Sequence, residues 1–75
     1  MPQDEIHGRV AGIIGLGSIG QEIARKALIL GMHVIGVKNN PQPLEWVDHV
    51  YGPAEMEEVF KQSDYVIHQN ISNGR

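Results

Sequence analysis

The chain of 75 residues contains no cysteine, which excludes a disulfide framework and thiolate chemistry and fits a reducing compartment such as the cytoplasm. No stretch approaches the roughly 18 consecutive apolar residues of a membrane helix. The start, "MPQDEIHGR", is polar. Basic residues are scarce as well: 6 Lys and Arg stand against 9 Asp and Glu, for a formal charge of −3. They form no cluster, so nucleic acid is not the expected partner. Metal chemistry is also poorly provided for. The four histidines, His7, His33, His49 and His68, show neither i, i+3 nor i, i+4 pairing and have no cysteine beside them, so no metal site is expected.

What remains is one small domain. A chain of this length buries only about 60% of its unfolded surface, so its core is marginal without support. There are no repeats, no low-complexity segment and no inter-domain linker. The expected unit is a single, partial domain over residues 1–75, with its core at about 8–69.

"VAGIIG", after Arg9, is a short apolar, β-branched run suited to a strand buried on both faces. Glycines at 15, 17 and 20 break it. From Ser18 or Ile19 to Leu30 the period changes to that of a helix. Ile19, Ile23, Ala24, Ala27 and Leu28 share one face, and Gln21, Glu22, Arg25 and Lys26 the other. Gly31 follows as a left-handed helix terminator. "HVIGV", His33 to Val37, reads as a second strand, ended by "KNNPQP". "WVDHVY", Trp46 to Tyr51, reads as a short third strand, with Trp46 and Tyr51 packing it against its neighbours. Pro53 then opens a second helix, with Glu55, Glu57 and Glu58 near the positive end of its dipole. Met56, Val59 and Phe60 form its buried stripe, and it ends near Ser63. "DYVIHQ", Asp64 to Gln69, is a fourth strand. Asp64 reads as a turn or cap residue.

Strand, helix and strand at this spacing make a right-handed βαβ unit. Gly15-Leu16-Gly17-Ser18-Ile19-Gly20 fits G-x-G-x-x-G in the required context, after a strand and opening a helix. The first glycine permits the tight turn, the second lets a phosphate approach the backbone, and the third lets the helix pack on the strand. The free N–H groups of Ser18 and Ile19, with the helix dipole, then face a pyrophosphate. The bland alternative is that the glycines serve only a turn and close packing. About 20 residues on, NAD-selective sites place an acid for the ribose hydroxyls. Here the chain reads Val37-Lys38-Asn39-Asn40. A cation there attracts a 2′-phosphate, which points to NADP ahead of NAD.

The run "GRVAGIIGLGSIGQEIARKALILGMHVIGV" resembles the coenzyme-binding domain of the D-isomer-specific 2-hydroxyacid dehydrogenases, and the likeness continues through "VYGPAEMEEVFKQSDYVI". It implies a partial Rossmann-type α/β fold, a parallel sheet in strand order 3-2-1-4 with one helix per face. It also implies hydride transfer between a nicotinamide cofactor and a 2-hydroxy or 2-keto acid. Carried over by residue, Gly15, Gly17 and Gly20 form the phosphate turn, and Ser18 and Ile19 give backbone donors. Lys38 and Asn39 lie at the adenosine ribose or its phosphate. The family's catalytic arginine, glutamate and histidine fall downstream of the matched stretch, so no catalytic residue is expected in this chain and none of its own turnover. Gly74-Arg75 is spaced too closely to serve as that arginine. His68, at the end of the last strand, could line the cofactor crevice.

A second expectation is a non-enzymatic dinucleotide-sensing module. A third is an oligomerising fragment, since one helix per face covers four parallel strands thinly. That thin cover implies missing chain, a partner such as a second copy in a homo-oligomer, or exposed apolar surface.

Overall fold

A computed structural model describes residues 3–68. A short helix α1 (Gln3–Ile6) leads into β1 (Val10–Ile14), α2 (Ser18–Ile29), β2 (His33–Val37) and β3 (His49–Tyr51). A 3₁₀ turn (Pro53–Glu55) then runs into α3 (Met56–Gln62) and β4 (Tyr65–His68). The four strands are parallel and stand in the order β3-β2-β1-β4. Val10 to Ile14 pair in register with His33 to Val37 on one side, and Ala11 to Ile14 with Tyr65 to His68 on the other.

Successive side chains of a strand face opposite ways, so an apolar run without alternation must feed two cores. It does. Ala11, Ile13 and Val34 join Leu16, Ala24, Ala27 and Val47 on the α2 side, while Ile14, Ile35 and Val37 meet Val59 of α3 on the other. Gly12 makes the second packing possible. A Cβ there would collide with the Ser63 hydroxyl and come within 3.0 Å of Val59 Cγ1, so α3 sits as close as it does because the side chain is missing. The C-terminus of α2 closes with a Schellman motif. Gly31, at φ +87°, donates to the Leu28 carbonyl at 2.9 Å, and Met32 donates to that of Ala27 at 3.1 Å.

The two late strands are fastened by the same device. The carboxylate of Asp64 accepts the Val10 N–H at 2.8 Å, while its own N–H donates to the Val10 carbonyl at 2.8 Å. Asp48 treats Val34 alike, with bonds of 2.8 and 2.7 Å. Each aspartate therefore locks the first residues of an incoming parallel strand to the start of its neighbour. Asp64 is a strand clamp in addition to the turn residue expected of it.

Several expectations need correction. The third strand begins at His49, not Trp46. The backbone N–H of Val47 turns back to the Leu44 carbonyl and that of Asp48 goes to Val34, so pairing with β2 starts at Ile35↔His49. Trp46 still packs on the α2-side core and Tyr51 on the other. The second helix opens with a 3₁₀ turn, and Phe60 is 49% exposed rather than buried, because the short α3 turns only Val59 and Met56 to the sheet. Ile19 is 52% exposed, since it lies in the first turn of α2, beyond the end of the sheet. Helix α1 adds a turn of helix ahead of β1 that the polar start of the sequence does not signal. The Gln69 end of the fourth strand and the "NISNGR" tail lie outside the described residues.

Two helices leave apolar surface in water, with Tyr65, Val66, Ile29 and Leu30 all at least 40% exposed. Among the described residues no helix is long and apolar enough to cross a membrane. The aspartate clamps generate a test. Asp48→Ala and Asp64→Ala should each lower stability by about 1 kcal/mol, the usual net worth of such a hydrogen bond. Urea denaturation reads this, and unchanged midpoints in both variants would mean the clamps contribute nothing.

Candidate functional site

Brought together at the C-terminal ends of β1 and β2 are the glycine turn and the segment Lys38–Asn40. A cleft of about 410 Å³ opens there, lined on one side by Ile14, Gly15, Leu16 and Gly17 and on the other by Val37, Lys38, Asn39 and Asn40. Pro53 and Met56 close its floor. The chain leaves β1 for β2 and β3 on one side and returns with β4 on the other, so β1 sits at the point where strand order reverses. Open parallel sheets bind ligands just outside the carboxyl ends of the strands at such a point.

The turn is built from the missing side chains. Gly15 has φ +97°, a left-handed conformation that glycine alone adopts at little cost. Its N–H donates to the Val37 carbonyl at 3.1 Å, which ties the turn to the end of β2. Gly20 is buried, and a Cβ on it would strike the Gly15 carbonyl oxygen. Leu16, 1% exposed, is pinned into the α2-side core by the gap above Gly36, where a Cβ would lie 2.6 Å from its Cδ1.

Gly17 is the N-cap of α2 and has no side chain with which to cap it. The N–H groups of the first helical turn have no acceptor within a helix, so those of the exposed Ser18 and Ile19 are available to an outside one. No acidic residue stands in that turn. The helix dipole therefore meets no carboxylate of its own, and the place suits an anion. Ser18 and Ile19 are exposed at this tip but do not line the cleft wall itself. Lys38 is half-buried, with its N–H donating to the Tyr51 carbonyl at 3.0 Å, and Asn39 is exposed beside it. Among the residues lining the cleft there is no Asp or Glu.

Asn40, Pro53 and Met56 also line the cleft, beyond the site residues expected from the sequence. Asn40 adjoins Lys38-Asn39 and could have been included, whereas Pro53 and Met56 reach the cleft only through the fold of the 3₁₀ turn. His68 is exposed at the end of β4 and does not line this cleft. The other histidines are placed apart. His7 lies against Gly31, His33 Nδ1 is 3.9 Å from Asp48, and the rings of His49 and Tyr51 are 4.3 Å apart. Among the described residues no three His, Asp or Glu gather to hold a metal ion.

Comparison with known proteins agrees with this arrangement. Residues 1–73 match the family model described as "D-isomer specific 2-hydroxyacid dehydrogenase, NAD binding domain". A hydroxypyruvate reductase of Thermotoga maritima is 36% identical over 66 residues, 83% of this chain and 19% of that protein. A glyoxylate reductase of Pyrococcus furiosus is 38% identical over 65 residues, 84% of this chain and 19% of that one. The chain thus spans about a fifth of the length of these curated relatives. A solved D-isomer specific 2-hydroxyacid dehydrogenase family protein of Aeromonas salmonicida superposes with a TM-score of 0.80 at 33% identity, over 85% of this chain and 21% of that one. The NADPH-dependent glyoxylate/hydroxypyruvate reductase of Sinorhizobium meliloti, solved with NADP and sulfate, gives 0.75 at 29% identity, over 83% and 19%. With the glycine turn, the strand order and nearly the whole sequence in agreement, this chain belongs to the D-isomer specific 2-hydroxyacid dehydrogenases, of which it carries the cofactor-binding portion.

Proposed function

We propose that the cleft holds the adenosine and pyrophosphate half of a nicotinamide dinucleotide, with NADP preferred to NAD. In this reading Gly15, Gly17 and Gly20 form the phosphate turn, and the N–H groups of Ser18 and Ile19 donate to the pyrophosphate. Lys38 and Asn39 meet the ribose and its 2′-phosphate. The observation that carries the reading is that one cleft is lined by the glycine turn and by Lys38, with no carboxylate in its walls. An uncapped helix start with no acid in its first turn fits two phosphates. A lysine where NAD-selective sites keep an acid fits a third. That the similar Sinorhizobium meliloti reductase was solved with NADP supports the choice.

For the whole protein we infer a reductase of small 2-keto acids, of which glyoxylate and hydroxypyruvate are the candidates named by its relatives. The bound dinucleotide supplies a hydride to the keto carbon. The share of this chain is to hold the adenosine end, orient the phosphates and keep negative side chains away from them. The groups that handle the proton and the substrate carboxylate do not come from it.

Titration calorimetry checks both parts. NADPH should bind the chain more tightly than NADH, and Lys38→Asp should weaken NADPH by roughly ten- to a hundredfold while sparing NADH, as expected for loss of a charged hydrogen bond. Tighter binding of NADH by the unaltered chain would overturn the NADP preference. Gly20→Val, whose Cβ meets the Gly15 carbonyl, should abolish binding of both. The chain by itself should not oxidise NADPH in the presence of glyoxylate or hydroxypyruvate, and measurable oxidation would refute the division of labour.

A further inference from the structure

Two successive carbonyls of the glycine turn are held by a single residue. The side-chain amide of Gln21 donates from Nε2 to the Leu16 carbonyl at 3.1 Å, in a partly buried setting. The backbone N–H of the same Gln21 donates to the Gly17 carbonyl at 2.9 Å. The second bond is the first rung of α2 and belongs to any helix. The first does not. It requires a donor at the end of a side chain of this length, one turn into the helix.

The consequence follows from the planarity of the peptide group. In a trans peptide the N–H points opposite to the C=O. With the Leu16 and Gly17 carbonyls turned towards α2, the N–H groups of Gly17 and Ser18, which lie in the same two planes, are turned away from it, and Gly17 is part of the cleft wall. Leu16 is anchored by its buried side chain, but that anchor does not fix the plane of the peptide that follows. Gly17 has no Cβ to resist rotation of that plane. The Gln21 amide supplies the missing restraint.

We propose that Gln21 is a positioning residue of the dinucleotide site. By holding the Leu16 carbonyl it keeps the Leu16–Gly17 peptide in the orientation that presents the Gly17 N–H to a pyrophosphate. This rests on the dinucleotide reading above and adds to it a residue outside the glycine motif that sets affinity for the phosphates and not for the nucleoside. Preorganised donors lose less on binding than donors that must be ordered first, so loss of the clamp should act on the phosphate end alone.

The test compares ADP with adenosine on the 75-residue chain and its Gln21→Met variant, which keeps side-chain length and helix propensity but removes the donor. ADP should bind the variant roughly three- to tenfold more weakly, the worth of about one hydrogen bond. Adenosine should bind equally well. Equal ADP binding by the two proteins would overturn the proposal, and so would a parallel loss for ADP and adenosine. A second measurement needs no nucleotide. Nitrogen-15 relaxation should reveal added motion at the Gly17 amide in Gln21→Met and in Gln21→Glu, and unchanged relaxation in both would overturn the clamp. An unaltered chain that binds neither ADP nor adenosine would refute the dinucleotide reading, while the relaxation experiment still decides whether Gln21 orders the turn.

Discussion

The contact on which the rest depends is that between Gly15 and Gly20, where the start of a helix lies directly on the end of a strand. A side chain at residue 20 would drive into the Gly15 carbonyl, so the approach exists because residue 20 is glycine, while Gly15 is needed for its φ of +97°. Once β1 and α2 meet this closely, the axis of α2 is fixed across the sheet and its first N–H groups open over the carboxyl ends of the strands. Ala24 and Ala27, both buried, continue the same close packing along the helix. The placement of the helix start and the α2-side core are two results of one steric fact.

The opposite face of the sheet depends on a second missing side chain. Gly12 admits Val59 and Ser63, and the hydroxyl of Ser63 is satisfied by the Val59 carbonyl at 2.6 Å. Because α3 is short, its position is held from both ends, by the 3₁₀ turn at Pro53 and by the Asp64 clamp at the start of β4. That position brings Pro53 and Met56 to the cleft floor. Strand order, clamp and cleft are thus linked through backbone bonds, glycines and the two aspartate clamps, and ion pairs between side chains contribute little. The Glu22–Arg25 pair on α2 illustrates the contrast. Each group favours the charge of the other, with Glu22 held below its usual range mainly by a hydrogen bond from Arg25, yet the pair lies at the solvent-facing surface of α2, where such a pair adds little stability.

Much of this was legible in the residues. The switch from an apolar run to a 3.6-residue period at Ser18 placed β1 and α2, and Gly31 ended the helix where its left-handed conformation does. His33 to Val37 were read as a strand to the residue, because all of it is apolar apart from an exposed first histidine. Less was legible where the chain leaves that regularity. Trp46 to Asp48 look strand-like because apolar and polar residues alternate, but the backbone of Val47 and Asp48 is already committed elsewhere. Helical spacing puts Phe60 and Ile19 on buried faces, but spacing cannot tell where along a helix the sheet stops. Pro53 and Met56 reach the site by tertiary folding, and Gln21 by a side-chain bond to a backbone five residues away. Neither leaves a local signature.

In the proposed reading the first turn of α2 and the end of β2 are two poles of one dinucleotide cleft. Nitrogen-15 correlation spectra recorded during titration with NADP test it most directly. The largest shifts are expected at Gly15, Gly17, Ser18 and Ile19 together with Lys38, Asn39 and Asn40, all following a single binding curve. Shifts confined to one pole, or centred on the exposed Tyr65 and Val66 of β4, would contradict it.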